Sequence, residues 1–597
     1  MKKILIVSLI LLCGLEAEAQ LTGSVSVQGE YEPLVIETER LNAYPQGFKF
    51  ELPASRIDYA LDGIVTDFRP SIITMGTTGR QTSRPWPHYR GWLDVNMGSY
   101  LNTNINAGYY ILSDARNTLL ADVKYHSTSL YRIHDVPPSF TRPTRKHVYD
   151  GRIGLTYSRL FGSEGLLEAD AGYRLAKFNY YGTTTERSLL PSGKTEIDPP
   201  TQTLNQVDAS VNFTSSQSPI RGWHVGSCIN YFGYRRLFFP IGSSFTREGS
   251  RETTLKATAG YSYNFAGKSA IAIDAKGDFI FFSDKAYNSK RNNYGVVSLL
   301  PSYRFVNNLL SLRAGANIGL TYDAMDAREG KKFGHFHIAP DIDIAYSTEK
   351  GQFGIFLKAT GGIFPSTLQH MERFDRYQMP IILNTVPVYS PIDARLGINI
   401  GPFTGFSATV GLRYASAKNV PLGGWYQEYL KAYPPIADFN AFADQRLDPY
   451  LQTVSLHGMS VELGLQYAFG TMAEVKIDGI YTPQDGKKGI FNGFDRPRWI
   501  LNTTAAVRPI KKLKIHVGYD YRGVRNCYRL TPDNDASRLW AMRLPDLTLL
   551  NAKITYSIHD NFDIYCSGEN LLNRHIALLP GLQQEGIVIS GGFYLEF

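Results

Sequence analysis

From residue 91 to residue 597, apolar and polar side chains alternate residue by residue in one stretch after another. A period of two sends successive side chains to opposite faces, so each stretch is a strand with one apolar and one polar face. Leu513, Ile515, Val517, Tyr519 and Tyr521 share one face, while Lys514, His516, Asp520 and Arg522 share the other with Gly518. The same split separates Val461, Leu463, Leu465, Tyr467 and Phe469 from Glu462 and Gln466, and Ala473, Val475, Ile477 and Tyr481 from Glu474, Lys476 and Asp478. After residue 20 the chain has no run of about 18 nearly uncharged residues, which a membrane-crossing helix needs. With 13% aromatic and 19% charged residues it is also unlike a disordered chain, which has few aromatics and dense charge.

A soluble antiparallel sheet alternates in the same way, so the number of strands and the lengths between them decide the class. Twenty-two stretches can be counted. From the third onward, long connections (129–146, 179–202, 362–391, 416–452 and 523–544 among them) alternate strictly with short ones (161–163, 216–220, 306–307, 402–403 and 509–511). A sandwich has no reason to obey that rule. A bacterial outer-membrane barrel does, with an even strand number, short periplasmic turns and long extracellular loops. Closure follows from the solvent: each unpaired backbone group in hydrocarbon costs several kcal/mol, and an open sheet has an edge lined with them. The sequence therefore predicts an all-β fold, a transmembrane antiparallel β-barrel of about 22 strands over residues 91–597.

The 38 tyrosines and 32 phenylalanines then have a physical cause. Strand ends at the two membrane interfaces favour rings that combine an apolar body with a polar tip. Tyr109, Tyr110, Tyr173, Tyr261, Tyr263, Tyr303, Tyr322, Tyr346, Tyr414, Tyr467 and Tyr556 are expected near such ends, as are Tyr519 and Tyr521.

Residues 1–19 read as a signal peptide, with Lys2 and Lys3, an apolar run from Ile4 to Leu12, and Ala17-Glu18-Ala19 before Gln20. The expected destination after export is the cell outer membrane. Cys13 follows Leu12, where lipoprotein processing prefers a small side chain. Residues 20–90 form an N-terminal arm, periplasmic or lumenal, in which Pro45, Pro53, Pro70, Pro85 and Pro87 interrupt regular structure. Val25 to Val27 reads as a short strand. Cys228, Cys527 and Cys566 are widely spaced and odd in number, so no disulfide framework or metal knuckle follows. The net charge of +8 contains no block of like charges, so no nucleic-acid partner is indicated.

The end of the chain is its most specific feature. Ile587, Ile589, Phe593, Leu595 and the terminal Phe597 share a face with Gly591, opposite Val588, Ser590, Tyr594 and Glu596. This resembles the closing strand of outer-membrane barrels, and the resemblance implies that Phe593, Leu595 and Phe597 are read by the outer-membrane assembly machinery. Just upstream, Glu569-Asn570-Leu571-Leu572-Asn573-Arg574 resembles a stretch that TonB-dependent receptors carry before their final strand. Twenty-two is also that family's strand number.

The resemblance covers residues 91–597, and it implies a protein that takes part in uptake of a nutrient across the outer membrane. It implies outer-membrane lipid and lipopolysaccharide as surroundings, and a TonB-type energiser or a surface lipoprotein as a partner. The family's plug, well over a hundred residues long, has no full counterpart in residues 20–90. A second expectation therefore stands beside the first: a structural or scaffold subunit of an outer-membrane protein assembly. The lumen would be occluded by the arm, by inward-folded loops or by a partner. Tyr433 to Ile436 and Phe439 to Phe442 are apolar enough to pack in such a loop.

No catalytic residue and no cofactor are expected, and the chain reads as a non-enzyme. None of its 12 histidines sits beside a Gly-x-Ser-x-Gly turn. The candidates for ligand binding in the lumen are His335, His337, Asp341 and Asp343, which share one strand face. Two imidazoles and two carboxylates form a donor set for a divalent ion. A polar lumen wall is the simpler account, so no metal is assigned.

Overall fold

The computed structural model describes residues 89–597 apart from 115, 130–145, 163, 180–200, 217–220, 238–246, 266, 284–292, 324–335, 350, 375, 377–386, 422–424, 427–452, 471, 484–496, 531–539, 575–576, 580–581 and 584. The signal peptide, nearly all of the N-terminal arm, His335 and the apolar segments at 433–436 and 439–442 lie outside the described residues. Twenty-two long strands follow one another. They are β1 (Gly91–Gly98), β2 (Asn102–Ser113), β3 (Asn117–Thr128), β4 (Val148–Phe161), β5 (Gly165–Asn179), β6 (Thr201–Thr214), β7 (Gly222–Tyr234), β8 (Arg251–Asn264), β9 (Ser269–Ser283), β10 (Tyr294–Val306) and β11 (Leu310–Tyr322). The second half comprises β12 (Phe336–Ser347), β13 (Phe353–Phe364), β14 (Val388–Phe403), β15 (Phe406–Pro421), β16 (Thr453–Phe469), β17 (Ala473–Tyr481), β18 (Trp499–Ile510), β19 (Leu513–Arg522), β20 (Leu547–His559), β21 (Phe562–Glu569) and β22 (Val588–Glu596).

Each strand pairs antiparallel with its sequence neighbours. β22 also pairs antiparallel with β1, from Trp92↔Glu596 to Gly98↔Ser590, so the sheet closes and has no edge. The backbone of Gly91 and Phe597 completes the seam, each N–H donating to the other's carbonyl at 2.7 and 2.9 Å.

Alternation decides the two faces. Ile153, Leu155, Val207, Val211, Ile271, Ile273, Leu396, Leu412 and Leu463 are all exposed on the outward face. A continuous apolar belt of this kind is unfavourable in water and is satisfied by hydrocarbon. Exposed rings cluster at strand ends, with Trp223, Tyr261, Tyr263, Phe265, Tyr467, Phe469 and Phe597 at the short-turn end, and Tyr322, Phe336 and Trp499 at the long-loop end. The inward positions carry Asp150, Arg174, Asp208, Glu252, Asp274, Arg304, Asp341 and Arg413.

One departure from the sequence reading has a simple cause. The gaps expected at 362–391 and 416–452 are narrower, because β13 runs on to Phe364, β14 begins at Val388 and β15 runs on to Pro421. About ten residues suffice to cross the hydrocarbon, so these extensions exceed the length that alternation between lipid and lumen marks. The connection from β1 to β2 is a single 3-10 turn, Ser99–Leu101, although it lies at the long-loop end. There, loop residues also pair among themselves: Trp425–Tyr426 runs parallel to Arg525–Leu530, which pairs antiparallel with Trp540–Leu544.

Candidate functional site

The connection after β13 turns into the barrel. Thr367 caps a short helix, α1 (Leu368–Phe374), its hydroxyl oxygen accepting the His370 N–H at 3.1 Å. Two amides at the start of α1 point at one carboxylate, that of Glu252 on β8. Leu368 N–H donates to Oε2 at 2.5 Å and Gln369 N–H to Oε1 at 3.0 Å. An acceptor is what the unsatisfied amides of a first helical turn require, and a negative charge there is favoured. Ser366 is clamped by Tyr294 of β10, whose hydroxyl both accepts from the Ser366 N–H and donates to its carbonyl, each at 2.8 Å. Glu252 and Leu368 are essentially fully buried.

The other end of the segment reaches the opposite wall. Glu372 accepts two bonds from Arg174 of β5 at 3.1 Å each, and Arg376 Nε donates to Glu372 at 2.8 Å. Asp150 of β4 accepts from Arg174 at 2.9 and 2.7 Å and from Arg376 at 2.5 Å. Two guanidinium groups and two carboxylates thus form a closed, charge-neutral ring. Around the sheet, β8, β5 and β4 lie five, eight and nine strands from β13. Residues 366–376 are therefore a chord across the lumen. Apolar wall residues at this level, Ile280, Tyr294, Val296 and Ile363, form one buried cluster. Burying them gives the segment a reason to fold inward.

Among the sequence-derived candidates, His337, Asp341 and Asp343 lie on the lumen face of β12, while His335 lies outside the described residues. Asp341 is 3.0 Å from Arg313 and Asp343 is 3.5 Å from Lys358, so both carboxylates are engaged by cations of neighbouring strands. The His337 ring packs on Tyr389, with centroids 4.6 Å apart. Among the described residues, no group of three or more His, Cys, Asp or Glu side chains is arranged to hold a metal ion. Similar pairs line the rest of the wall: Arg304 with Asp274, Arg413 with Asp393, Arg152 with Asp208 and Lys476 with Asp478. The wall is polar without being of one sign.

The Glu569–Arg574 stretch forms a clasp at the long-loop end. Asn570, buried and in the left-handed region at φ 49°, donates from Nδ2 to the carbonyls of Arg574 (2.9 Å) and Glu585 (3.1 Å). Its Oδ1 accepts the Arg574 N–H at 3.1 Å. Asn573 has φ 49° as well, and its N–H donates to the Asn570 carbonyl at 2.8 Å. Leu571 N–H bonds the Leu550 carbonyl at 2.8 Å, and the Leu571 and Leu572 side chains are exposed. Glu585 in turn meets Lys146 at 2.6 Å, joining the loop before β22 to the residues before β4. In the closing strand, Phe593 packs on Phe562 (centroids 6.1 Å apart) and Phe597 stacks on Tyr109 (6.2 Å). Leu595 pairs with Leu93 on one side and Phe562 on the other.

No family model matches this sequence, and no curated protein matches it. Solved structures do. The siderophore receptor PirA from Acinetobacter baumannii aligns with a TM-score of 0.61 at 10% identity, over 85% of this chain and 80% of that one. A mutant ferric enterobactin receptor, PfeA, from Pseudomonas aeruginosa aligns with 0.62 at 12% identity, over 85% and 80%. The FrpB iron transporter from Neisseria meningitidis aligns with 0.61 at 10% identity, over 85% and 81%. The chain shares the barrel fold of these proteins.

The chain thus resembles the TonB-dependent receptor barrel, at an identity where only the fold is comparable. Within this receptor-type barrel, sequence reasoning missed Glu252, Tyr294, Arg174, Glu372 and Arg376. Each lies at an inward position or in a long loop, where a charged or phenolic side chain is unremarkable. The only local signal was Thr367 standing three residues before His370 at the head of a short apolar-polar run.

Proposed function

We propose that the chain is an outer-membrane barrel that takes part in uptake of a solute, with a mouth closed by its own β13–β14 loop. The observation that carries this reading is the chord of residues 366–376, fastened at Glu252 and Tyr294 and again at Arg174 and Asp150. An open lumen in a barrel of 22 strands is wide, and barrels of this size are occluded. The likeness of fold to receptors and a transporter supports the same reading. In this proposal residues 1–19 direct export, residues 20–90 are an N-terminal arm, periplasmic or lumenal, and a TonB-type energiser or a surface lipoprotein is the partner. Phe593, Leu595 and Phe597 present the closing strand to the assembly machinery. His337, Asp341 and Asp343 serve as polar wall. The chain carries out no covalent chemistry.

The alternative is a scaffold subunit whose closed lumen is never opened. Purified full-length protein in planar bilayers separates the two. The intact chain is expected to be silent. Glu252→Ala with Glu372→Ala, and deletion of residues 20–88, are each expected to give step conductance, larger when combined. Silence of every form, with another protein retained through purification, sinks the uptake reading in favour of the scaffold.

A further inference from the structure

Arg174 uses two different edges of its guanidinium. The Nε–Nη2 edge faces Asp150, with bonds of 2.9 and 2.7 Å, and both residues belong to the barrel wall. The Nη1–Nη2 edge faces Glu372, with bonds of 3.1 Å each, and that carboxylate belongs to the loop. A guanidinium is planar and always charged, and each edge matches the two oxygens of a carboxylate or phosphate. Asp150 therefore fixes the plane and direction of Arg174 whether or not the loop is in place. The second edge is a preorganised receptor for an oxyanion, and the oxyanion now in it is a side chain of the same molecule.

We propose that Arg174 is an oxyanion-binding site at the lumen mouth, for solutes bearing a carboxylate or phosphate, and that Glu372 is its internal stand-in. A solute carboxylate that replaces Glu372 leaves the charge within the ring unchanged, and a phosphate makes it more negative. Either also removes the tie that holds α1 to β5 and leaves Arg376 with Asp150 alone. Glu372 is almost completely buried, its side chain 2% exposed, so it cannot be exchanged without the segment moving. Binding and release of the loop are thus one event, with the equilibrium set by the difference in affinity between the loop-in and loop-out states. The site rests on the proposed uptake function only in taking the loop-rich end as the side from which solute arrives.

The test uses the full chain in nanodiscs, with citrate and inorganic phosphate as probes and sodium chloride at equal ionic strength as reference. Isothermal titration reads binding, and hydrogen–deuterium exchange of the peptide containing the Leu368 and Gln369 amides reads loop release. Binding of citrate or phosphate with at least a threefold rise in exchange, absent with chloride, is the expected result; which probe acts identifies the oxyanion. Glu372→Gln removes the internal competitor without touching the wall, and it is expected to tighten binding of the active probe by about tenfold. Arg174→Gln is expected to abolish binding, provided that it keeps the heat-modifiable gel mobility of the folded barrel. Equal effects of chloride, or the same affinity in Glu372→Gln and the parent, overturn the site. A bilayer experiment that shows no conductance while titration succeeds overturns the uptake reading alone.

Discussion

Tyr565 reaches over Gly592 to hydrogen-bond Asp94 on the far side of the closing strand. Tyr565 pairs with Gly592, and Gly592 pairs with Asn96, so the phenol on β21 crosses β22 to reach β1. Its hydroxyl donates to Asp94 and accepts from Asn96 Nδ2 at 3.2 Å, while the Lys553 ammonium stands 3.6 Å over the ring. The contact continues around the wall: Asn104 donates to Asn96 at 2.9 Å, and His126 Nδ1 lies 2.6 Å from Asn104 Oδ1. The β22–β1 pairing that closes the barrel is thereby bridged by side chains of β21 and β1, and β20, β2 and β3 add to the network.

The bridge requires that position 592 have no side chain. A Cβ there would press on the Val95 backbone carbonyl and stand 2.7 Å from both the Asn96 Cβ and the Tyr565 ring. Tyr565→Phe removes one buried donor and should cost about 1–2 kcal/mol. Gly592→Ala crowds both the β1 backbone and the ring and should cost more. The temperature at which the folded gel mobility is lost should therefore fall in the order parent, Tyr565→Phe, Gly592→Ala. An unchanged temperature for Gly592→Ala would show that the ring does not need that groove.

The clasp at Asn570 gives a second expectation. Asn570→Ala removes three side-chain bonds, two donated by Nδ2 and one accepted by Oδ1, and exchanges a residue that tolerates φ 49° for one that does not. Limited proteolysis should cut the 570–587 loop at least several-fold faster, with the barrel core left intact. Asn573→Gly should be nearly silent, since its own φ of 49° suits glycine. Equal protection of Asn570→Ala and parent would show that the loop is held elsewhere.

These contrasts explain what was legible in the sequence. Strands such as Leu513–Arg522 were readable because hydrocarbon outside and a polar lumen inside impose period two on every residue. The Glu569–Asn573 stretch was visible as a likeness, yet its action as a clasp depends on Glu585, 15 residues beyond Asn570. The mouth chord was not readable at all. Glu252 lies 116 residues from Leu368, and Arg174 lies 198 residues from Glu372, so no local pattern encodes either contact. Alternation placed His337, Asp341 and Asp343 on one face without revealing that Arg313 and Lys358 of the adjoining strands would engage the carboxylates.

The turn between β2 and β3 supplies a pH test outside the membrane. Asp114 accepts the backbone N–H of Arg116 at 2.8 Å and of Asn117 at 2.6 Å, with the Asn117 side chain at 3.0 Å. The Arg116 amide above all, then the Asn117 side chain and amide, hold its carboxyl below the ordinary value of 3.8. A group depressed on folding stabilises above its unfolded pKa and loses that contribution as pH falls through the folded value. Asp114→Asn should therefore melt below the parent at neutral pH, and the gap should close as pH drops beneath about 4. A gap that persists unchanged into strong acid would assign the difference to geometry instead of charge.

The lumen wall allows one comparison of burial within a single molecule. Arg413 is bidentate to Asp393, at 2.9 and 2.8 Å, with its side chain 4% exposed. Arg152 meets Asp208 at 3.2 Å with its side chain 47% exposed. Water screens the second pair, and exposed pairs contribute roughly 0–1 kcal/mol. Removing one partner of a buried pair leaves the other charge desolvated and alone, at a cost of about 3–5 kcal/mol. Arg413→Ala should therefore lower the thermal transition of the folded barrel strongly, and Arg152→Ala hardly at all. Replacing both members, Arg413→Met with Asp393→Leu, should recover part of the loss, since the Asp393 carboxylate is then no longer stranded. If the double replacement melts as low as Arg413→Ala, the pair contributes through its hydrogen bonds to the fold rather than through mutual neutralisation, and the electrostatic account of the lumen wall fails.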